Sequence, residues 1–218
     1  MKFLSGIRAL VTSGPTVEPI DPVRYISNRS SGRQGHAVAA ALRDAGAEVT
    51  LVSGPVALPD PPGIIIRHVQ TAREMLEACQ AALPVEVLVA VAAVADWRVA
   101  EPASEKLKKG QGAPVLRLVE NPDILATLAK SGGLRPALVI GFAAETGDLL
   151  ARAAAKRISK GCDWMVANDV SDGKAFDAQE NEVMLITPDG SESWPRSGKR
   201  AVADRLAAKI GEYMKGKR

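Results

Sequence analysis

The 218-residue sequence predicts an α/β fold with a mostly parallel sheet flanked by helices and a C-terminal β-hairpin appendage. Three observations support this prediction. Short apolar runs alternate with helical patterns, the chain opens with a strand, a loop, a helix and a strand, and the tail changes to two short strands and a closing helix. The length fits a single domain, which we take as residues 1–218.

The opening unit begins with the apolar run 9–12, which predicts the first strand. After a long polar segment, residues 37–45 place their apolar side chains on one helical face, and Gly46 ends that helix. Residues 49–52 give the next predicted strand. This order of elements is typical of a Rossmann-like fold.

The middle of the chain continues the alternation. Residues 64–66 predict a strand, and Thr71 with Glu74 predicts a capping box that opens a helix. The nearly continuous apolar run 87–94 predicts a buried central strand. Asn121 is expected to cap a helix that starts at Pro122. The other elements predicted here are strands at 115–119, 138–142 and 164–167 and a helix at 148–160.

The tail reads differently from the rest of the sequence. Residues 182–187 and 192–194 flank a Pro-Asp-Gly turn and predict a β-hairpin, and residues 199–214 predict the closing helix. Residues 171–177 are polar and contain glycine, so we expect a mobile loop there. The outer strand of the hairpin is a possible edge for pairing with a second copy of the chain.

Composition limits the classes of function. The net charge of +3 gives no argument for nucleic-acid binding, and no apolar run reaches the roughly 18 residues of a membrane span. Cys79 and Cys162 lie far apart and outside any metal-ligand spacing, which favours buried thiols in a reducing compartment. Residues 1–8 are too short and polar for a signal peptide. We therefore expect a cytoplasmic protein that binds neither nucleic acid nor membrane.

Lysines are concentrated in two places despite the small net charge. Lys106, Lys108 and Lys109 share one polar loop, while Lys156 and Lys160 are four residues apart on one helical face. A charge run is often only a solvated surface. Like charges on one face repel, however, unless an anion lies between them. A small anionic ligand would explain this clustering better than a long polymer.

Other candidate site residues follow predicted strands or precede helices. Ser30, Ser31 and Gly32 come just before the first helix, where hydroxyls and free N–H groups suit a phosphate; a plain helix cap is the alternative. Asp96 follows the run 87–94, where it could contact a metal, a ribose or a polar substrate, or only close a turn. Phe142 could lie against a flat ring or belong to the core. His36 and His68 are isolated, which favours structural roles.

Taken together, these segments resemble the bacterial type of phosphopantothenoylcysteine synthetase over residues 8–214. The matching motifs are Thr-Ser-Gly-Pro-Thr (12–16), Ile-Ser-Asn-x-Ser-Ser-Gly (26–32), Ala-Ala-Val-Ala-Asp (92–96), Glu-Lys-Leu-Lys-Lys (105–109), Asn-Pro-Asp-Ile (121–124), Gly-Phe-Ala-Ala-Glu-Thr (141–146) and Val-Ala-Asn-Asp-Val (166–170). The sequence departs from the family at Gln34, Trp97 and Leu107, none of which removes a charge that the interpretation needs.

The resemblance implies a ligase of coenzyme A biosynthesis that joins 4′-phosphopantothenate to L-cysteine. It implies CTP as co-substrate, an acyl-cytidylate intermediate, CMP and pyrophosphate as products, and Mg²⁺ as cofactor. The family is dimeric, so a homodimer is expected. Members are often fused to a flavin-dependent phosphopantothenoylcysteine decarboxylase, which is the other expected partner.

The resemblance also assigns roles to residues. It implies that Asn28 holds phosphopantothenate and the acyl-nucleotide, and that Lys106 is catalytic with Lys109 beside it. Ala92 is also expected to contact the substrate, and Asp96 is the candidate metal ligand. The nucleotide-binding set expected from the phosphate motif and the resemblance is Ser30, Ser31, Gly32, Ala90, Val91, Ala92, Asp96, Lys106, Pro122, Asp123, Ile124, Leu125, Phe142, Lys156 and Lys160.

Two other functions share parts of this pattern. A reductase that uses NAD(P) has the same opening, but this chain lacks Gly-x-Gly-x-x-Gly and a Tyr-x-x-x-Lys pair, and its tyrosines are Tyr25 and Tyr213. A non-catalytic nucleotide-binding module would bind CTP without releasing pyrophosphate. The intact lysine motif argues against such a module.

Overall fold

A computed structural model describes residues 2–109, 114–145, 147–169 and 180–217. The strands are β1 (Arg8–Ser13), β2 (Val17–Asp21), β3 (Arg24–Ser27), β4 (Glu48–Ser53), β5 (Ile65–His68), β6 (Val87–Ala90), β7 (Trp97–Val99), β8 (Leu118–Glu120), β9 (Leu138–Glu145), β10 (Trp164–Asp169), β11 (Glu180–Thr187) and β12 (Gly190–Gly198). The helices are α1 (Arg33–Asp44), α2 (Ala72–Ala81), α3 (Ile124–Ala129), α4 (Leu149–Lys160) and α5 (Lys199–Lys215). The loop predicted at 171–177 lies outside the described residues.

The main sheet confirms the predicted Rossmann-like fold. Its strand order is β12-β11-β10-β9-β6-β1-β4-β5, and the strands from β10 to β5 run parallel. β1 and β6 lie side by side at the centre, where successive connections switch from one side of the sheet to the other. Ligands of such sheets bind outside the carboxyl ends of the strands at this switch point.

The core has two layers, one on each face of the sheet. Alternate residues of β1 point to opposite faces, so Val11 packs towards α1 and α5 while Leu10 packs towards α2, α3 and α4. Both cysteines are buried in the second layer as free thiols, as the sequence predicted. Within the described parts of the chain, no helix combines the length and the apolar character needed to cross a membrane.

The predicted C-terminal hairpin is present and extends the main sheet. β11 pairs antiparallel with β10, and β12 pairs antiparallel with β11. Trp194 in β12 is 1% exposed and packs in the layer of α1 and α5. The hairpin therefore adds to the central core.

Two ribbons lie beyond the main sheet, and the sequence predicted one of their four strands: the strand expected at 115–119 is β8, which starts at Leu118. β2 and β3 form an antiparallel ribbon in the segment that reads as a long polar loop, and β7 pairs with β8 in a second ribbon. Glu18 in β2 is 1% exposed, and its Oε1 accepts a bond of 2.9 Å from the Ala72 N–H at the start of α2. This buried carboxylate therefore fastens the first ribbon to the start of α2.

The central strand is shorter than predicted. β6 ends at Ala90, whereas the apolar run continues to residue 94. The Val91 and Ala92 N–H groups donate to Thr12 Oγ1 at 3.1 and 3.2 Å, and the Ala93 N–H donates to the Gly14 carbonyl at 2.9 Å. These bonds provide hydrogen-bond partners for the backbone N–H groups without strand pairing. The second half of the apolar run therefore forms a loop after β6.

The start of α3 also differs from the prediction. Asp123 caps the helix and accepts a bond of 3.0 Å from the Ala126 N–H, so Pro122 precedes the helix. Asn121 instead donates its side-chain amide to the Ala95 carbonyl at 2.9 Å. Asn121 thus connects two loops, and Asp123 is the N-cap residue of α3.

Candidate active site

Two adjoining clefts open at the carboxyl edge of the parallel strands. The first has a volume of 560 Å³ and lies between the segment before α1 and the ends of β6 and β9. The second has a volume of 430 Å³ and lies between the loop after β6 and the start of α3. The clefts share wall residues, so they form one continuous site; these are Ala92, Val94, Asp96, Phe142 and Lys156.

Most of the site residues predicted from the sequence line these clefts. Besides the shared residues, the first cleft is lined by Asn28, Ser30, Ser31, Gly32 and Val91. The second is lined by Ala90, Pro122, Asp123, Ile124, Leu125 and Lys160. The fold thus brings together segments that are remote in sequence, as the switch point of the sheet predicts.

The turn before α1 is held against the end of β1. Gly32 has a left-handed φ of 72°, which glycine adopts without steric strain. Its carbonyl accepts a bond of 2.9 Å from Ser13 Oγ. A Cβ on Gly35 would lie 2.4 Å from Ser13 Oγ, so the absence of a side chain at Gly35 allows α1 to approach β1 closely. The free N–H groups of the helix start therefore lie beside the first cleft.

His36 belongs to the same buried network. Its Nδ1 lies 3.0 Å from Ser13 Oγ and 3.2 Å from the Gly32 carbonyl oxygen. The residue is 8% exposed, and burial lowers the pKa of the imidazole below its ordinary value. The neutral ring supports the turn from beneath, which is the kind of structural role expected for it.

The loop after β6 is held from two sides, which leaves Asp96 exposed at the junction of the clefts. Asn28 Nδ2 donates to the Val94 carbonyl at 2.9 Å, and Thr16 Oγ1 accepts from the Ala95 N–H at 3.0 Å. Asn121 adds a backbone bond of 2.8 Å to the Asp96 carbonyl. The aspartate side chain therefore projects from a well-supported backbone.

Each of the two cleft lysines is paired with a carboxylate of the protein. Lys156 Nζ lies 3.1 Å from Glu145 Oε1, and Lys160 pairs with Asp123. The repulsion inferred from their spacing is thus relieved within the protein, without a bound anion. An anionic ligand would have to compete with these two carboxylates for the lysines.

Lys106 and Lys109 are exposed and line neither cleft. Their loop lies on the first ribbon, where the Leu107 N–H donates to Asp21 Oδ2 at 3.1 Å and the Ala103 N–H donates to the Ile20 carbonyl at 2.9 Å. The structure therefore does not bring Lys106 together with Lys156. The catalytic roles of Lys106 and Lys109 remain predictions.

Some wall residues were missed from the sequence. Arg29, Arg33, Asn168 and Lys199 also line the first cleft. The two arginines flank the Ser-Ser-Gly motif, so their charge beside a candidate phosphate turn was a usable signal. Lys199 starts α5, and nothing in its local sequence indicates that the helix begins beside this cleft.

A metal at this site would need ligand atoms from the bound molecules. Among the described residues, no group of three histidine, cysteine, aspartate or glutamate side chains is arranged to hold a metal ion. Mg²⁺, however, is commonly bound through one or two carboxylates together with substrate phosphates and waters. The exposed Asp96 at the junction of the clefts fits that kind of binding.

Comparison with known proteins agrees with the resemblance read from the motifs. Residues 4–214 match the DNA/pantothenate metabolism flavoprotein C-terminal domain. The coenzyme A biosynthesis bifunctional protein CoaBC of Mycobacterium tuberculosis is 44% identical over 225 residues, which cover 98% of this chain and 54% of that protein. CoaBC of Escherichia coli is 44% identical over 212 residues, which cover 95% of this chain and 52% of that protein. The chain thus spans about half the length of the curated relatives it matches.

A solved structure gives the same result for the fold. The crystal structure of the C-terminal domain of CoaBC superposes with a TM-score of 0.82 and 35% identity, and the match covers 99% of this chain and 100% of that domain. The similarity is therefore one of a whole domain.

Proposed function

The chain belongs to the DNA/pantothenate metabolism flavoprotein C-terminal domain family, and from this premise we propose that it is a cytoplasmic phosphopantothenate–cysteine ligase that uses CTP. One observation carries the proposal. Six of the seven matched motifs, although remote from one another in sequence, contribute residues to one continuous cleft at the switch point of the sheet. The cleft combines a phosphate-type helix start, lysines and a half-buried aromatic ring.

The proposed reaction forms an amide in two steps. A carboxylate does not react with an amine at neutral pH because its oxygen is a poor leaving group. The carboxylate of 4′-phosphopantothenate therefore attacks the α-phosphate of CTP, which forms an acyl-cytidylate and releases pyrophosphate. The amine of L-cysteine then attacks the acyl carbon, loses a proton and expels CMP.

The cleft residues can be assigned to parts of these substrates. Ser30 and Ser31 with the N–H groups at the start of α1 suit phosphate oxygens, and Phe142 offers a face for the base. Lys156 and Lys160 lie where they can compensate the charge of a triphosphate. Asn28, which is fastened to the loop after β6, lies at the edge where the acyl group would be held.

The proposed cofactor Mg²⁺ would be held by Asp96 together with phosphate oxygens. When bound, it would supply positive charge that offsets the repulsion between a triphosphate, a carboxylate and a phosphomonoester. The side chains of the cleft contribute the remaining positive charge and the alignment of the reacting groups.

Lys106 and Lys109 need a route to the reacting groups. In this proposal the loop that carries them, here called the lysine loop, stays fixed to the β2–β3 ribbon. It reaches the reacting groups either when ribbon and loop close together over the cleft of their own chain or when the loop enters the cleft of a second copy. Mixing Lys106→Gln with Lys156→Gln protein separates the two routes. Only entry from a second copy regenerates an active site that has both lysines, and with it a fraction of the wild-type rate.

A homodimer is part of the proposal. Three well-exposed apolar side chains lie together on the two ribbons, which pack on each other: Tyr25 is 62%, Trp97 53% and Leu118 45% exposed. No large apolar side chain of the described part of the tail hairpin is exposed to that degree. The ribbons are therefore a better candidate for the contact than the hairpin edge inferred from the sequence.

The dimer contact can be tested by sedimentation. Trp97→Ser should shift the mass towards the monomer, while Leu134→Ser, which changes a side chain exposed to 51% elsewhere, should not. A wild-type protein that sediments as a monomer at all concentrations would remove the dimer from the proposal.

The proposed partner is a phosphopantothenoylcysteine decarboxylase, either fused or separate. The product of the proposed ligase is the substrate of that enzyme. The curated relatives are named bifunctional, and this chain covers about half of them.

The decisive experiment is an incubation with 4′-phosphopantothenate, L-cysteine, Mg²⁺ and either CTP or ATP, followed by analysis of nucleotides. We expect CMP and pyrophosphate in the CTP reaction, and their absence when phosphopantothenate is left out. Binding of CTP without pyrophosphate release would identify a non-catalytic module. Oxidation of NADPH with a carbonyl substrate would favour the reductase.

A further inference from the structure

Asp21 is a buried carboxylate at the end of β2, 4% exposed, on the ribbon that supports the lysine loop. Its Oδ1 accepts bonds of 2.9 Å from both the Val23 and the Arg24 N–H, which closes the turn between β2 and β3. Its Oδ2 accepts a bond of 3.1 Å from the Leu107 N–H. A single side chain therefore joins the ribbon turn to the middle of the Lys-Leu-Lys-Lys segment.

Arg24 holds the same segment from the other side. Its Nη2 lies 2.7 Å from Asp21 Oδ2 and donates to the Leu107 carbonyl at 2.6 Å. Both backbone polar groups of Leu107 are thus fixed by the Asp21–Arg24 pair. Lys106 and Lys108 are the immediate neighbours of this residue, so the pair limits how far they can move.

The opposite end of the ribbon leads to the cleft. Ser27 Oγ donates to the Thr16 carbonyl at 2.7 Å, and Asn28 Nδ2 donates to the Val94 carbonyl. The lysine loop and Asn28 are therefore mounted on one short ribbon, which is itself fastened to the strand-end loops.

The charge of Asp21 supports this connection. Burial alone raises the pKa of this carboxyl, but the bonds from the Val23 and Leu107 amides and the Arg24 guanidinium outweigh burial, and the pKa lies below its ordinary value. Asp21 is therefore charged at neutral pH, as an acceptor of several hydrogen bonds should be.

We propose that Asp21 is a positioning residue that fixes Leu107 on the ribbon and so places Lys106 relative to Asn28. The inference rests on the proposed function, because it assumes that Lys106 acts on the reacting groups. Asp21 itself touches neither cleft in the described structure.

Asp21→Asn tests the proposal because it changes one side of the carboxylate. The amide oxygen of asparagine can still accept from the ribbon turn, but its NH₂ group would face the Leu107 N–H, so donor meets donor. The ion pair with Arg24 is also lost. We expect kcat to fall about tenfold or more while KM for CTP stays within about twofold, because a small displacement of a catalytic group slows the chemical step.

Two further measurements separate positioning from a general structural role. Hydrogen exchange at the Leu107 amide should accelerate in Asp21→Asn, while the amides of β1 and β6 stay protected. In a double-mutant cycle, Asp21→Asn should cost almost nothing in a Lys106→Gln background, because both changes remove the same contribution. Multiplied losses in the double variant would overturn the proposal.

The control is Asp60→Asn, which removes an exposed carboxylate paired with His68 at 3.1 Å and should leave turnover unchanged. Asp21→Asn with wild-type turnover, or with unchanged exchange at Leu107, contradicts the inference. If Asp21→Asn fails to fold, Arg24→Gln keeps the backbone bonds of the turn and removes the guanidinium that pairs with Asp21 and donates to the Leu107 carbonyl. This variant should lower kcat in the same direction, and an unchanged kcat overturns the proposal. A wild-type protein that makes no CMP would refute the proposed function instead.

Discussion

The cleft and the lysine loop are built in different ways. The walls of the cleft are strand ends joined by buried or half-buried hydrogen bonds, such as those that Thr12 Oγ1 accepts from two successive amides. The lysine loop is exposed and is held by backbone contacts to a ribbon outside the main sheet. The cleft lysines are paired with carboxylates, whereas no described carboxylate pairs with Lys106.

This difference suggests that the two groups of lysines have different roles. A binding surface must keep its shape before the ligand arrives, which the central sheet provides at no cost in ordering. A cation that acts only during the reaction gains from remaining charged and uncompensated until the substrates are in place. The paired lysines would then contribute mainly to affinity, and the loop lysine mainly to rate.

The largest expected effect comes from Lys106→Gln, which should reduce kcat about 100- to 1000-fold, the loss seen when one electrostatic contact to a transition state is removed. The fold should be unchanged because the side chain is exposed. Steady-state kinetics of CMP release would measure the effect, with Lys108→Gln as the matched control. Equal losses in both variants would mean that the loop contributes only general charge.

A smaller effect is expected from Thr12→Val, which keeps the shape of a side chain that is 2% exposed but removes the acceptor of two amides. The free energy of unfolding should fall by about 1–3 kcal/mol, as measured by urea denaturation. Thr127→Val on the exposed surface of α3 is the control and should change it by less than about 0.5 kcal/mol. A Thr12→Val protein as stable as the wild type would contradict the idea that these hydrogen bonds hold the cleft wall in shape.

Lys156→Gln should weaken CTP binding by about tenfold with a smaller change in kcat, because uniform binding is lost. Isothermal titration calorimetry measures the affinity directly. Lys130→Gln removes an exposed lysine that does not line either cleft and should bind CTP normally. A Lys156→Gln protein that binds normally but turns over slowly would reverse the roles assigned to the two groups of lysines.

The smallest effect concerns His36 and the pH dependence of stability. Burial lowers the pKa of His36 in the folded protein from 6.5, so below that pH the unfolded chain takes up a proton that the folded protein excludes. Stability is therefore lost as pH falls through this range. His36→Gln should lose less stability than the wild type between about pH 7.5 and about pH 5.5, by urea denaturation at each pH. Parallel losses in both proteins would show that other groups cause the acid sensitivity.

The sequence predicted the central sheet well because apolar runs and helical periodicity report burial directly. The sequence-based prediction failed where a residue forms a hydrogen bond with a partner that is distant in sequence. The run 87–94 has the pattern of a single strand, yet the Val91 and Ala92 amides donate to Thr12 Oγ1 and do not pair with a neighbouring strand. Asn121 has the sequence position of a helix N-cap, yet its side-chain amide donates to the Ala95 carbonyl. Such contacts depend on tertiary structure and leave no local pattern.

The site was predictable as a set of motifs but not in its arrangement. Asp96 follows β6 and Phe142 lies within β9, and both line the cleft because the carboxyl ends of parallel strands meet at one edge of the sheet. Lys106 belongs to a loop whose place is set by the buried Asp21 on another element. Sequence separation gives no measure of that anchoring, so the motifs alone could not show that Lys106 lies outside the cleft that Lys156 lines.

The ribbon between β1 and α1 has a wider consequence. In dinucleotide-binding sheets of this strand order, a short glycine-rich turn occupies that connection. Here the connection is lengthened, and the surrounding strands keep their order. A chimaera that exchanges residues 14–32 between relatives should therefore take Asn28 and the Ser-Ser-Gly turn from the donor of the graft and keep the thermal tolerance of the recipient scaffold.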